Sequence, residues 1–370
     1  MQKHAGSMVL ATILLVTLGL GLYFWTRDLS RTSSRDTPLL EAHRAAKHFL
    51  NEYLAQDGRV IRRDEGGDTV SEGQAYAMLL AAAIEDRRRF DLSWRWAKAH
   101  LERRDHLLSW HWDDGRVVDL QPATDADLDA ARALLLAAQR FRDRSYERDA
   151  LRIARSILRK ETVTRSGNHI LVAGPWARSA PFVINPSYFS PRAFQELHWA
   201  ADDRRWLAVA RAARRIVVSL TDRPTRLPPD WAKLSGSMTS LTPSPSPGSS
   251  GADPVYGLDA ARVVVRFAEA CHSSSRKLAA STWPFLRRAR TAGIALAYDL
   301  DGTPAASDQH PAGVVAAAAA AHAAGATAAS EQLLDQAERL EQRFPSYYGA
   351  AWVALGRVML ATGLLGDCSE

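Results

Sequence analysis

Three short stretches of this 370-residue chain each bring a carboxylate to the start of a helical pattern. The first is Asp68-Thr69-Val70-Ser71-Glu72-Gly73-Gln74-Ala75-Tyr76, the second Ala123-Thr124-Asp125-Ala126-Asp127-Leu128-Asp129, and the third Tyr256-Gly257-Leu258-Asp259-Ala260-Ala261-Arg262. Each has an ordinary explanation. Thr69 and Glu72 fit a capping box, Thr124 or Asp125 can cap the second helix, and Asp259 with Arg262 three residues on can be a cap plus a surface ion pair. A chemical explanation competes with these. Gly73 is a poor helix former directly after the acid, which points to close approach by a ligand or another backbone. Gln74 and Tyr76 add polar groups where a core-facing helix wants aliphatics. Asp125, Asp127 and Asp129 repel each other unless a cation or a proton lies between them. Carboxyls of this kind, one protonated and one ionised, carry out general acid–base chemistry. Asp-x-Asp-x-Asp also opens a calcium loop, but Ala130 stands at the sixth position and Leu136 at the twelfth. That excludes an EF-hand.

Aromatic residues surround these acids in the sequence. The chain has 11 Trp; Trp110 and Trp112 alternate in SWHWDD, and Trp176, Tyr188, Trp231, Tyr347 and Tyr348 fall in or beside loops and helix starts. Core burial is the default for any one of them. Taken with the carboxylates, they supply the flat apolar platforms that a cleft for pyranose rings needs, and a charge cluster suited to a developing positive charge at an anomeric carbon.

The elements that must position these groups read as helices. Apolar periodicity predicts them at 39–56, 71–86, 90–103, 125–142, 145–159, 190–200, 202–220, 258–272, 276–296, 310–324, 326–343 and 347–362. Short connections favour antiparallel neighbours. Such a set can close as six inner and six outer helices, and no fixed repeat period suggests a solenoid instead. Gly167, Asn168, Gly174 and Pro175 make a small hairpin plausible within 160–189. Residues 222–254 are rich in Pro, Ser, Thr and Gly and read as a long loop inside the domain, mobile over 235–254.

Met8 to Trp25 is an uncharged apolar run, long enough to span a bilayer, with Tyr23 and Trp25 at its interfacial end. No small-residue cleavage site follows, so it reads as an uncleaved signal-anchor. Residues 1–37 are then a cytoplasmic tip, span and tether, and 38–370 one catalytic domain. Lys3 precedes the span while Arg27, Arg31 and Arg35 follow it, yet charge counting weakens when a long domain follows. The net charge of +6 is scattered and lacks a basic stripe with interleaved aromatics, which excludes the usual nucleic-acid footprints. Cys271 and Cys368 show no metal-ligand spacing; one disulfide and two buried thiols both remain open.

Taken together, the blocks resemble glycoside hydrolase family 8, most closely the endoglucanases found with bacterial cellulose synthase. The resemblance rests on SEGQAYAMLLA (Ser71–Ala81), ATDAD (Ala123–Asp127), NPSYFSP (Asn185–Pro191), LDAAR (Leu258–Arg262) and Tyr347-Tyr348, in the family's order across roughly 40–362. Leu258 stands where Tyr is usual, Ala130 where Ile or Met is, and Val264 where Pro is common. The resemblance implies an all-α (α/α)6 barrel, inversion at the anomeric carbon, and neither cofactor nor metal. It makes Glu72 the general acid, Asp259 the general base, and Asp125 the group that steadies the distorted sugar. Gln74, Tyr76, Trp110, Trp112, Asp127, Tyr188, Arg262, Tyr347 and Tyr348 are the expected substrate-binding residues. The implied substrate is a β-1,4-glucan, with xylan or chitosan, or a non-catalytic glycan-binding role, as alternatives. A cellulose synthase complex is the implied partner, with the domain anchored to the inner membrane and facing the periplasm.

Overall fold

The computed structural model describes residues 37–249, 251–366 and 368; the expected membrane span and nearly all of its tether lie outside them. Among the described residues, no helix is long and apolar enough to cross a membrane. The chain is predominantly helical. Helix α1 covers 37–53. It is followed by α2 (Ser71–Ala83), α3 (Arg87–His100), α4 (Thr124–Phe141), α5 (Arg144–Lys160), α6 (Pro191–Ala201) and α7 (Arg205–Leu220). Then come α8 (Leu258–Ala268), α9 (Ser273–Ser281), α10 (Trp283–Ala289), α11 (Pro311–Ala323), α12 (Thr327–Arg343) and α13 (Tyr347–Ala361).

Composition separates two kinds of helix. In α2 and α11 nearly every residue is buried, and both are built mainly from Ala with Val, Leu and Met. A helix apolar on every side must be surrounded, and alanine lets its neighbours approach closely. In α5 only one stripe is buried, including Tyr146, Ala150, Ile153, Ala154 and Ile157, the mark of an outer helix. Contacts follow this division. α2 packs on α4, α4 on α6, α6 on α8, α8 on α11, α11 on α13, and α13 back on α2, closing a ring. Helices α3, α5, α7, α9 and α12 pack behind it.

The first and last helices meet at the seam of this ring. Arg357 of α13 is buried and bonds Glu41 of α1 together with Asp335 (2.7 Å) and Glu338 (2.8 Å) of α12. Arg44 of α1 reaches the same Glu338 at 2.8 Å. A disulfide joins Cys271, just beyond α8, to Cys368.

Small sheets decorate the helix connections. β1 (Thr69–Val70), β2 (Ser109–Asp113) and β3 (Arg116–Pro122) form an antiparallel sheet in that order. Its β2–β3 turn puts Asp114 and Gly115 at positive φ, as a tight hairpin requires. The hairpin expected within 160–189 is present as β4 (Thr162–Arg165) and β5 (Asn168–Leu171). Part of the expected Ser/Pro loop is built into structure: β6 (Phe182–Ile184), β7 (Trp231–Leu234) and β8 (Leu241–Ser244) pair antiparallel, with Leu234 opposite both Phe182 and Leu241. β9 (Val255–Tyr256) pairs β10 (Tyr298–Asp299) immediately before α8. The helix expected at 276–296 is two. Pro284 lies in the first turn of α10, where it is tolerated only at a fresh start, and Gly293 takes a positive φ that ends helical structure.

Candidate active site

The N-termini of the ring helices converge at one mouth, which is why acids at helix starts, far apart in sequence, come together. The capping explanations do not hold for any of the three. The N-cap of α2 is Val70 without a side-chain cap, and Thr69 Oγ1 instead donates to Val60 O at 2.6 Å. The N-cap of α4 is Ala123, also uncapped, while Thr124 Oγ1 donates to Val172 O. The N-cap of α8 is Gly257.

One guanidinium organises the acids. Arg262 donates through Nη1 to Glu72 and to Asp125 (2.8 Å), and through Nη2 to Asp259. Tyr76 Oη donates to Glu72 and lies 3.3 Å from Arg262 Nη1. Exposure divides the set: Glu72 and Asp259 are 21% and 28% exposed, whereas Asp125 and Arg262 are at 4% and 3%. Two carboxyls therefore face outward, and a third lies beneath with the cation. Burial pushes the Asp125 carboxyl up to about 7, helped by the charge of Glu72 and opposed by Arg262.

Beneath this layer the pairing continues along the ring's interior. Arg266 Nη1 and Nη2 grip Asp129 at 2.8 and 2.5 Å, both residues buried. Further down, Arg132 binds Glu269 at 2.6 and 3.0 Å and Glu196 at 2.9 Å. Positions 125, 129 and 132 of α4 thus face 262, 266 and 269 at successive turns, charge against opposite charge. The three acids at 125–129 are consequently not one cluster. Asp125 and Asp129 are neutralised by successive arginines, and Asp127 points elsewhere.

The tyrosines frame the acids. Tyr188 ends a 3-10 turn, Pro186–Tyr188, with the Arg262 guanidinium 5.6 Å from its ring centre and Trp231 edge-on at 6.0 Å. Tyr348 is half-buried, 5.8 Å from the His310 ring. Burial raises its hydroxyl far above the ordinary value; Arg262 opposes that rise, while Glu72, Asp259 and Asp125 add to it. Tyr347 is fully buried against Phe49 and Tyr53 (6.0 and 5.8 Å), with its N–H donated to Asp64. It explains Gly73, since a Cβ there would overlap the Tyr347 hydroxyl. The close approach expected at Gly73 is made by a side chain.

Among the described residues, several expected substrate-binding residues make no hydrogen bond or ring contact with Glu72, Asp125 or Asp259. Gln74 is buried, accepting from Val60 N (3.0 Å) and donating to Gly58 O, Ser93 O and Ser93 Oγ. All its polar atoms are engaged in anchoring α2 to α3 and the loop at 58–60, so it has none left for a ligand. Asp127 is buried, accepts from Leu108 N at 2.8 Å and turns toward the buried Glu161. Burial drives both carboxyls upward. Trp112 packs on α3, 5.5 Å from Trp96, under the Arg59 guanidinium at 4.3 Å. Trp110 is half-buried beside His111 at 4.7 Å. Among the described residues, no hydrogen bond or ring contact joins Trp110 to the carboxylates. Tyr76 is in the site but fully buried, holding Glu72 from behind.

Two residues beside Asp259 escaped the sequence reading. Asn185 Nδ2 donates to Asp259 Oδ2 at 3.0 Å, while its Oδ1 accepts from Ser187. It opens the NPSYF stretch, so the signal was present. Asp230 accepts the Gly257 and Ala260 N–H groups. Its partners lie 27 and 30 residues away, and no local pattern announces it. No group of His, Cys, Asp and Glu among the described residues has the arrangement of a metal site.

A ring of helices whose N-termini bring two accessible carboxyls over a buried acid and its arginine is the layout of an acid–base enzyme. The profile of Glycosyl hydrolases family 8 matches residues 37–362, and the chain belongs to that family. A probable endoglucanase of Novacetimonas hansenii is 34% identical over 226 residues, 59% of this chain and 64% of its own length. An endoglucanase of Cellulomonas uda is 30% identical over 207 residues, 53% of this chain and 56% of its own. The chain therefore spans less than two thirds of the length of these curated relatives. The endo-beta-1,4-glucanase from Acetobacter xylinum superposes with a TM-score of 0.73 at 29% identity, covering 86% of this chain and 97% of that one. A beta-1,3-1,4-glucanase from Paenibacillus sp. X4, at 21% identity and a TM-score of 0.79, shares the fold over 88% of this chain and 92% of its own.

Proposed function

We propose that the protein is an inverting endo-β-1,4-glucanase built as an (α/α)6 barrel. The observation that carries this reading is the arrangement of Glu72, Asp125 and Asp259 around Arg262, with only the first and last accessible. Inversion needs one carboxyl to protonate the departing glycosidic oxygen and another to take a proton from water on the opposite face of the sugar. Glu72 is the donor and Asp259 the acceptor. As the bond from the anomeric carbon to the leaving oxygen breaks, the water oxygen bonds to that carbon from the other side. Asp125 lies beneath, suited to hydrogen-bond the distorted ring, and Tyr76 and Arg262 hold the acids in place. The endoglucanase names of the relatives support a β-1,4-glucan over xylan or chitosan.

The decisive assay follows the anomer released from carboxymethyl cellulose by NMR, beside a panel of soluble xylan and chitosan. The expected first product is the α-anomer from glucan. Glu72→Gln should reduce turnover by at least about a thousandfold while cello-oligosaccharide binding persists. Near-normal turnover in that variant, or a β-anomer as first product, defeats the assignment.

We further infer that the domain is tethered by Met8–Trp25 on the periplasmic side of the inner membrane. The apolar run and the Cys271–Cys368 disulfide, which suits an oxidising compartment, support this placement. A working association with cellulose synthase rests on the sequence blocks alone. Protease accessibility in spheroplasts tests the placement, and degradation only after lysis argues for the cytoplasm.

A further inference from the structure

Asp230 stands directly before β7 and reaches across to the start of α8, the helix that carries Asp259. Its Oδ1 accepts the N–H of Gly257 at 2.9 Å and the N–H of Ala260 at 2.7 Å. These are donors of a helix start that has no side-chain cap of its own. The fit is close on the other oxygen too: a Cβ on Gly257 would stand 2.5 Å from Asp230 Oδ2. Burial first, and then the negative charge of Asp259, push the Asp230 carboxyl up to about 7, against its backbone donors and Arg262. The Asp259 carboxylate is gripped at its own oxygens by Arg262 and Asn185. Its backbone lies between the two N–H groups that Asp230 holds.

We propose that Asp230 is a positioning residue for the general base. By holding the Gly257 and Ala260 N–H groups on one oxygen, it fixes the first turn of α8 and so the direction from which Asp259 meets the attacking water. The inference rests on the reading of Asp259 as the base. A simple helix cap would affect stability alone. A residue that aims the base affects turnover out of proportion to stability, because a misplacement of about 1 Å at a reacting group costs roughly a hundredfold in rate.

The test uses the full chain and four proteins: wild type, Asp230→Ala, Asp230→Asn and Gly257→Ala. Each is read for kcat and KM on cellopentaose and for melting temperature. Asp230→Ala should lower kcat by about 30- to 100-fold with KM within about twofold. Asp230→Asn should recover at least about tenfold of that loss, since its amide oxygen still accepts both N–H groups. Gly257→Ala, which drives a methyl into Oδ2, should lower kcat about tenfold, again without moving KM. Asp230→Ala with kcat within about threefold of an active wild type overturns the proposal. So does an Asn variant as poor as Ala, or a loss that appears in KM. If Asp230→Ala does not fold, Gly257→Ala decides alone, and wild-type kcat in that variant overturns the proposal. A wild type that leaves glucan uncut is a different result: it removes the glucanase reading, and this inference with it.

Discussion

Gly73→Ala is a small change with a large expected effect on turnover. A Cβ at this position would overlap the Tyr347 hydroxyl and stand 2.9 Å from Cζ and 3.0 Å from Cε2. Tyr347 cannot retreat, because Phe49 and Tyr53 pack on its ring and Asp64 holds its N–H at 3.0 Å. The first turn of α2 must give way instead, and the preceding residue is Glu72. Overpacking of this kind costs about 1–3 kcal/mol. Alanine is the better helix former by about 1 kcal/mol, so the net loss of stability is about 0–2 kcal/mol. The effect on chemistry is larger, since displacing the proposed proton donor by about 1 Å lowers the rate roughly a hundredfold. The assay is kcat on carboxymethyl cellulose beside a thermal melt. The expected result is a large fall in kcat with a melting temperature lowered by only a few degrees. Adding Tyr347→Phe removes the nearest clashing atom and should restore part of the loss, with a coupling of about 0.5–3 kcal/mol. Wild-type kcat in Gly73→Ala, or a double variant no better than the single, refutes the steric argument.

The paired charges inside the ring predict a non-additive result: Arg266→Leu and Asp129→Leu should each destabilise by about 3–5 kcal/mol by leaving a buried charge unpaired. The double variant should lie closer to wild type than either single in urea denaturation, and additive losses contradict the pairing. Asp125 predicts a pH effect. Its folded titration near 7 lies above the ordinary 3.8, so the folded state holds a proton that the unfolded chain has released between those values. That stabilisation is complete below about pH 4 and gone above about pH 7. Asp125→Asn should therefore gain on wild type by about 2–3 kcal/mol between pH 5 and pH 8, read from denaturation curves at both values. A gap that stays flat or narrows contradicts the assignment.

Much of this architecture was legible in the sequence, and the failures have physical causes. Helix periods carried nearly every boundary to within a few residues, because a ring of amphipathic and fully apolar helices is what the 3.6-residue pattern encodes best. The break at Thr282 was missed because Pro284 was read through instead of as a fresh start. β7 and β8 were missed because strands of four residues with a Pro in one of them carry little alternation. Glu72, Asp125 and Asp259 meet around Arg262 because each acid stands in the first turn of a ring helix, a position the sequence pattern marks. Gln74 and Asp127 face inward although they lie close to Glu72 and Asp125, because two residues along a helix turn a side chain by about 200°, enough to exchange the mouth for the core. Asp129 and Arg266 could have been found by matching the four-residue spacing of Asp125 and Asp129 to that of Arg262 and Arg266. Asp230 could not, because what it does depends on backbone groups of a distant helix.

The seam where α13 meets α1 has a consequence for the timing of assembly. Glu41 waits for Arg357 across 316 residues. At about 5–20 residues per second of synthesis, that interval is roughly 15–60 s. For all of it, the faces of α1 and α2 that meet α13 have no final partner. A nascent chain holding Glu72 and Asp259 would still lack Tyr347 and Tyr348, so the packing around the acids is complete only with the last helix. Such late closure leaves apolar surface open to premature contacts until the last helix is made.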